Sequence, residues 1–305
     1  MKKLLFIIII FSCNSIFATI YPITPRPLRK LVIESDAAIV GKVVSVYDKK
    51  YEGKKKKRMY YPSYKVAKIV VIEVLQGKLT NDTIEILFEP NMICPSPAMY
   101  YEKTSVIAFL DKNRNGGYST HALSYGSKTL DSIGISIYKK RISEIQKILK
   151  IQDSISKRTE TIEWFVKCAE NETTSWEGVF ELSDVKEFSK EPDNKFKALL
   201  NDDQKARLKK AYLSSTQSAN YDFNLSDLIY DENKLEIDSI LLERLRKLPE
   251  EDYYYASDYI LRLKHKNTSQ EMETLLKKYY EVQFENEKTE ERNKIVVEFI
   301  KMVEK

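Results

Sequence analysis

The chain has 305 residues, with 50 basic and 45 acidic side chains and a formal net charge of +5. A dedicated nucleic-acid binder should carry a concentrated basic face, and a nearly balanced chain of this length argues against that class. No apolar run beyond the N-terminus approaches the length that spans a bilayer, so no transmembrane segment is expected.

The N-terminus has the pattern of a removable export signal. Two lysines precede a short apolar run from Leu4 to Phe11, which is too short to span a membrane, and Ala18 offers a small residue for cleavage. A signal peptide over residues 1–18 leaves Thr19 as the first residue of the mature chain. We therefore expect an exported protein, which is secreted, periplasmic or at the outer cell surface. The alternative is a lipid anchor at Cys13, which would make the chain a structural cell-envelope lipoprotein with a helical interaction surface.

Two cysteines, Cys94 and Cys168, remain after removal of the signal. In an oxidising compartment they permit one disulfide, which would stabilise the fold by about 4–5 kcal/mol on the chain-entropy estimate. The alternative is that Cys168 is a small buried residue on a helix and that Cys94 stays free. The residue pattern does not choose between the two.

Residues 19–150 are rich in predicted strands. A proline-containing lead-in precedes a short helix from Pro27 to about Glu34, because proline suits the first turn of a helix. Strands are then predicted over 35–47, 64–75, 84–88, 105–110 and 118–125, and a closing helix over 139–150. Five strands with an early and a closing helix are typical of a five-stranded Greek-key barrel of the OB type.

Residues 151–305 change to helices with charged faces. Helices are predicted over 154–170 and 202–213, and four further apolar stripes follow towards the C-terminus. The predicted fold class is therefore α+β with two domains. An OB-type barrel at 19–150 precedes an all-α bundle or a short helical solenoid at 151–305.

Several segments carry a family resemblance. The stretch YPITPRPLRKLVIESDAAIVGKVVSVY begins at Tyr21 and ends at Tyr47, and the later stretches are YKVAKIVVIEVLQGKLTNDTIEIL, NMICPSPAMYYEKTSVIAFLDKN and GYSTHALSYGSKTL. Together, over residues 20–130, they resemble TIMP/netrin-like modules of the bacterial TIMP-like type. The resemblance implies an exported OB barrel that binds other proteins, and it does not extend to the helical half.

The sequence departs from the animal inhibitors of this family at the zinc-chelating end. In those inhibitors a mature N-terminal cysteine ligates the zinc of a metalloproteinase. Here Tyr21 and Ile23 stand where the paired cysteines belong, Ile33 replaces another, and Thr19 comes first after cleavage. The resemblance therefore implies a binder of the protease-inhibitor type that lacks the zinc-chelating cysteine.

The predicted binding surface combines the mature N-terminus with the proline-stiffened loop around Cys94. Proline reduces the entropy lost when a loop becomes ordered on binding, and tyrosine suits interfaces because it joins a large apolar face to a polar tip. The candidate contact residues are Thr19, Ile20, Tyr21, Pro22, Pro95, Pro97, Tyr100 and Tyr101.

No catalytic, cofactor or metal site is predicted. The histidines are His121 and His265, in different domains, and no nucleophile motif or phosphate-binding loop occurs. The run from Asp111 to Gly116 resembles half of a calcium loop, but Ala122 stands where a bidentate glutamate is required, and a hairpin turn explains it. The basic run from Lys54 to Arg58 is read as a solvated loop. The expected activity is protein binding, not catalysis; a hydrolase would need a pocket of converging polar groups between the domains.

Overall fold

The computed structural model describes residues 24–49, 64–79, 81–92, 96–114, 116–183, 196–215 and 220–304. The N-terminal half consists of one short helix followed by strands. These elements are α1 (Leu28–Glu34), β1 (Ala37–Asp48), β2 (Lys65–Gln76), β3 (Thr83–Phe88), β4 (Ser105–Lys112), β5 (Tyr118–Thr120) and β6 (Ser127–Thr129). The first helix and the first four strands lie where the sequence predicts them.

Strands β1 to β5 close into a barrel. The sheet order is β1–β2–β3–β5–β4, and β1 also pairs with β4, which completes the ring. The β3–β5 pair is parallel, through Ile86 and Tyr118, and the other pairs are antiparallel. Strand β6 pairs with the first half of β4, beside the point where β5 pairs with the second half. The prediction of a barrel followed by a helical half is therefore confirmed.

Bulges and a glycine allow the long β1–β2 ribbon to bend around the barrel. The register of this pair shifts at three places, between Ala38 and Ile39, between Val40 and Gly41, and between Val43 and Ser45. Bulges of this kind increase local twist and curvature. At Gly41 a β-carbon would lie 2.4 Å from Cγ2 of Ile69, so a larger residue would force the two strands apart.

The predicted strand over 118–125 is wrong beyond Thr120. Ala122 and Leu123 adopt positive φ angles of 52° and 51°, which no strand can accommodate. A short 3₁₀ turn at Leu123–Gly126 follows and leads directly into β6. We call residues 121–126 the His121 turn.

The C-terminal half is helical. Its helices are α2 (Ser132–Leu149), α3 (Ser154–Ala169), α4 (Ser175–Leu182), α5 (Asp202–Ser214), α6 (Asn220–Lys247), α7 (Ser257–Leu263), α8 (Gln270–Val282) and α9 (Thr289–Val303). Helix α2 begins at Ser132, earlier than the predicted residue 139, because the Asp131 carboxylate accepts the Gly134 amide at 2.7 Å as an N-cap. Helix α6 contains a kink at Asn233.

Two apolar clusters organise the molecule. One fills the barrel with residues such as Ile39, Ile69 and Val106. The other begins on the outer side of the barrel, at Ile107 and Phe109 of β4, and continues through α1 into the helices as far as α9. A single apolar cluster therefore extends across residue 150. None of the helices in the described ranges is long and apolar enough to cross a membrane.

Candidate interaction surface

The described part of the N-terminal lead-in is held against α1. Thr19, Ile20, Tyr21 and Pro22 lie outside the described residues. From Thr24 onwards the chain is extended, and the Arg26 guanidinium bonds the Glu34 carboxylate at 2.5 Å and the carbonyl oxygen of Thr24 at 3.0 Å. These contacts hold Thr24 and Arg26 against α1.

The described part of the loop after Cys94, residues 96–101, lies partly inside the barrel. Pro95 lies outside the described residues, and Pro97 and Tyr100 are buried. The Tyr100 hydroxyl is 2.6 Å from Oγ1 of Thr120, and its ring packs edge-on against Phe88. Burial raises the pKa of Tyr100 far above its ordinary value, so the phenol stays neutral. Tyr100 belongs to the apolar cluster that fills the barrel.

Tyr101 is exposed, with 54% of its surface accessible, but it lies away from the lead-in. Lys103 and Thr104, just before the start of β4, bond the backbone of Val43 in the middle of β1. The length of β4 from Ser105 to Asp111 separates this end from the lead-in, a distance of about 20 Å at the usual strand rise. The structure thus does not bring Tyr101 next to Thr24 and Arg26.

Ser96 of the loop and the described lead-in meet at the His121 turn. Nε2 of His121 lies 3.3 Å from the Glu34 carboxylate that also binds Arg26, and its Nδ1 lies 2.9 Å from Asp111. Three residues on, the Ser124 amide donates to the carbonyl of Ser96 at 3.3 Å. We call Thr24, Arg26, Ser96 and the His121 turn the lead-in surface.

Sequence reasoning did not find the role of His121. Its two carboxylate contacts come from residues 87 and 10 positions away, and no spacing rule connects them. Within the part of the chain that the structure describes, no group of three or more His, Cys, Asp or Glu side chains is arranged to hold a metal ion.

A buried glutamate fastens the lead-in surface to the helical half. Glu177 on α4 is 1% exposed and accepts the Leu28 amide at 2.6 Å, the Tyr138 hydroxyl at 2.9 Å and Nζ of Lys128 at 2.8 Å. These groups come from α1, α2 and β6. We call this set the Glu177 junction. It fixes the first turn of α1, and with it the direction of the lead-in.

Aromatic rings surround the Glu177 junction, and little of it is exposed to solvent. The ring of Trp176 stacks between Tyr125 of the His121 turn and Phe180, and Nζ of Lys128 lies 5.5 Å from its centre. Burial, and then the nearby Glu177 charge, raise the pKa of Tyr138 well above its ordinary value. The phenol therefore remains a hydrogen-bond donor to Glu177. Helix α4, which the sequence reasoning missed, supplies most of this environment.

The cysteines of the predicted disulfide are described only in part. Cys168 is a free thiol, fully buried on α3, and burial raises its pKa well above the ordinary thiol value. Cys94 lies outside the described residues, as does Cys13.

No model of a known protein family matches the chain, and a comparison with curated proteins finds no match.

Proposed function

We propose that the chain is an exported module that binds another protein and does not catalyse a reaction. Its barrel would be a Greek-key barrel of the OB type, and its binding mode would resemble that of TIMP/netrin-like modules. The ring order β1–β2–β3–β5–β4, with one parallel pair between β3 and β5, supports the OB assignment. The sequence resemblance over residues 20–130 supports the binding mode.

One observation carries the proposal. Arg26 directly follows the predicted binding segment at residues 19–25, and Ser96 belongs to the predicted binding loop around Cys94. Both rest on the same short turn, Arg26 through Glu34 and His121, and Ser96 through Ser124. Two segments about 70 residues apart in the sequence thus border one surface. The Glu177 junction holds α1 firmly beneath it, and a fixed surface loses little entropy on binding.

A truncation tests this proposal. Removing residues 19–25 should abolish capture of the partner from an extract of secreted and cell-surface proteins. The melting temperature should change little, because Arg26 and Leu28 keep their contacts with Glu34 and Glu177. Unchanged capture by the truncated chain would refute the proposed surface.

Photo-crosslinking supplies a more local test. A crosslinking residue at exposed Ser96 should label the partner, whereas one at Leu235, which is 86% exposed on α6, should not. Equal labelling from both positions would mean that the barrel end is not the contact surface.

Mass spectrometry of the mature N-terminus tests export and separates the two ways of reaching the cell surface. Thr19 as the first residue fits a released binding module. An acylated Cys13 would instead favour the cell-envelope lipoprotein, whose helical domain would then be the interaction surface.

A further inference from the structure

A basic cleft lies at the same end of the barrel as the lead-in surface. It has a volume of about 330 Å³ and is lined by Asp36, Ala37, Lys78, Lys112, Asn113, Arg114 and Tyr118. Asp111, which contacts His121, directly precedes Lys112 in β4. The cleft and the lead-in surface are therefore neighbours on one rim of the barrel.

The walls of the cleft are built by backbone constraints. Gly77 has a φ of +75°, and a β-carbon there would lie 2.3 Å from the carbonyl oxygen of Asp36, so only glycine lets the turn after β2 approach β1 this closely. Lys78 follows it. On the opposite wall, the Asp36 carboxylate accepts the Lys112 amide at 2.7 Å, and the Asn113 amide donates to the Gly117 carbonyl at 2.8 Å.

The acidic groups of this rim are already engaged, whereas the basic groups of the cleft are not. Glu34 bonds Arg26 and His121, Asp111 bonds His121, and Asp36 bonds a backbone amide. Among the residues that the structure describes, no carboxylate lies within ion-pair distance of the basic side chains of the cleft, which are Lys78, Lys112 and Arg114. The three basic side chains outnumber Asp36, the carboxylate that lines the cleft with them, so the cleft keeps a net positive potential.

We propose that this basic cleft receives a carboxylate-rich peptide segment of the protein partner. The inference rests on the proposed function and adds the chemistry of the partner. The Arg114 guanidinium suits bidentate binding of a carboxylate, and the two lysines act as point charges beside it. Asn113 and Tyr118 add neutral polar groups, and an acidic segment bound here would lie next to the lead-in surface.

A binding experiment with the full mature chain and a fluorescein-labelled polyglutamate peptide tests the inference. We expect the peptide to bind, with an affinity that falls as sodium chloride rises from about 50 to about 300 mM, because the contacts are exposed to solvent. In NMR spectra of the labelled chain, the amides of residues 77–79 and 111–114 should shift most. A polyglutamine peptide should cause no shift.

Matched variants give the control. Lys78→Gln, Lys112→Gln and Arg114→Gln together should weaken peptide binding by about tenfold or more. Lys266→Gln, Lys277→Gln and Lys278→Gln remove the same charge from exposed positions of the helical half and should leave binding within about twofold. Melting curves should be alike for both triple variants, since all six side chains are exposed.

Several outcomes would overturn the inference. They are equal weakening by both triple variants, amide shifts spread over the helical half, and tighter binding of a single-stranded oligonucleotide or of anionic lipid vesicles than of polyglutamate. The peptide assay does not use the natural partner, so it fails or succeeds independently of the truncation test. Loss of partner capture in the truncated chain, with peptide binding unchanged, would support both the proposed function and this cleft.

Discussion

Two clusters of opposite charges in this molecule have nearly the same contact distances but different surroundings. At the Glu177 junction, the carboxylate is 1% exposed and Nζ of Lys128 lies 2.8 Å away. In the helical half, Arg207 of α5 contacts Glu163 of α3 and Glu170, which directly follows α3, at 2.9 Å, and the Arg207 side chain is 30% exposed. We call the second set the Arg207 network.

Because the contact distances are alike, the comparison shows how exposure to solvent changes the contribution of charged contacts to stability. Water screens the Arg207 network and can replace any contact that is lost there, so exposed pairs contribute little to stability. The Glu177 carboxylate is almost closed to water and the Lys128 side chain is only 17% exposed, so a group left without its partner there keeps much of the cost of desolvation. The four predictions that follow test this difference, from the largest expected effect to the smallest.

Glu177→Gln should have the largest effect. It leaves the Lys128 ammonium without its counter-charge in a mostly apolar site, and we expect a loss of about 3 kcal/mol in the free energy of unfolding. Chemical denaturation measures this loss. Glu172→Gln, on an exposed residue of the neighbouring turn, is the control and should change little. A loss below that of the Arg207 variant described below would contradict the role of burial.

Tyr138→Phe should have an intermediate effect. It removes the hydroxyl that donates to Glu177 at 2.9 Å and leaves the ring and the charges in place. A hydrogen bond to a charged group contributes roughly 1.5–3 kcal/mol, and the retained Lys128 and Leu28 contacts place the expected loss near the lower end. The double variant with Glu177→Gln should lose less stability than the sum of the two single losses. A loss equal to that sum would mean that the two groups do not interact.

Arg207→Gln should cost about 1 kcal/mol or less, although it removes three hydrogen bonds to carboxylates. Partly exposed ion pairs such as these lose much of their Coulomb attraction to solvent. Added salt should shrink this small loss further and should leave the loss of the Glu177 variant nearly unchanged. A loss near that expected for Glu177→Gln would show that solvation does not decide the difference.

Acid should remove the contribution of the Arg207 network. Partial burial of Glu163 alone would raise its pKa, but hydrogen bonds from Gln204 and Arg207, together with the Arg207 charge, outweigh it and lower the pKa below the ordinary 4.5. A carboxyl group with a lowered folded-state pKa stabilises the fold above its unfolded pKa and loses that contribution as pH falls through the folded value.

The measurement is the difference in free energy of unfolding between the wild type and Arg207→Gln, followed from neutral pH downwards. The difference should stay constant down to about pH 4.5 and then shrink. A difference that grows in acid would mean that Glu163 does not take part.

The fold was predictable where an apolar pattern repeats along a segment and where one type of residue determines the local backbone conformation. Alternation at Ile84, Ile86 and Phe88 predicted β3, and the apolar stripe through Ile295 and Phe299 predicted α9. Strand β5 was overestimated because Ala122 and Leu123 carry no signal of their positive φ angles, which the surrounding structure imposes. Helix α4 is too short for a helical stripe to stand out.

The candidate surface was predictable in its segments but not in its side chains. Proline content selects the lead-in and the loop near Cys94, but nothing local indicates that Tyr100 points into the barrel while Tyr101 points out. The approach of Glu34 to His121 and the engagement of Glu177 by three distant elements depend on long-range packing. Sequence spacing does not encode such contacts.

The apolar cluster that crosses residue 150 has a practical consequence for anyone who divides this protein. A recombinant fragment that stops at that point would lose Glu177, which binds the Tyr138 hydroxyl, and helix α3, which packs against α2, so the apolar face of α2 would be left open to water. Such a fragment should self-associate or need a detergent, and limited proteolysis of the intact chain should yield no stable piece that ends there. The two halves are best expressed, purified and denatured together.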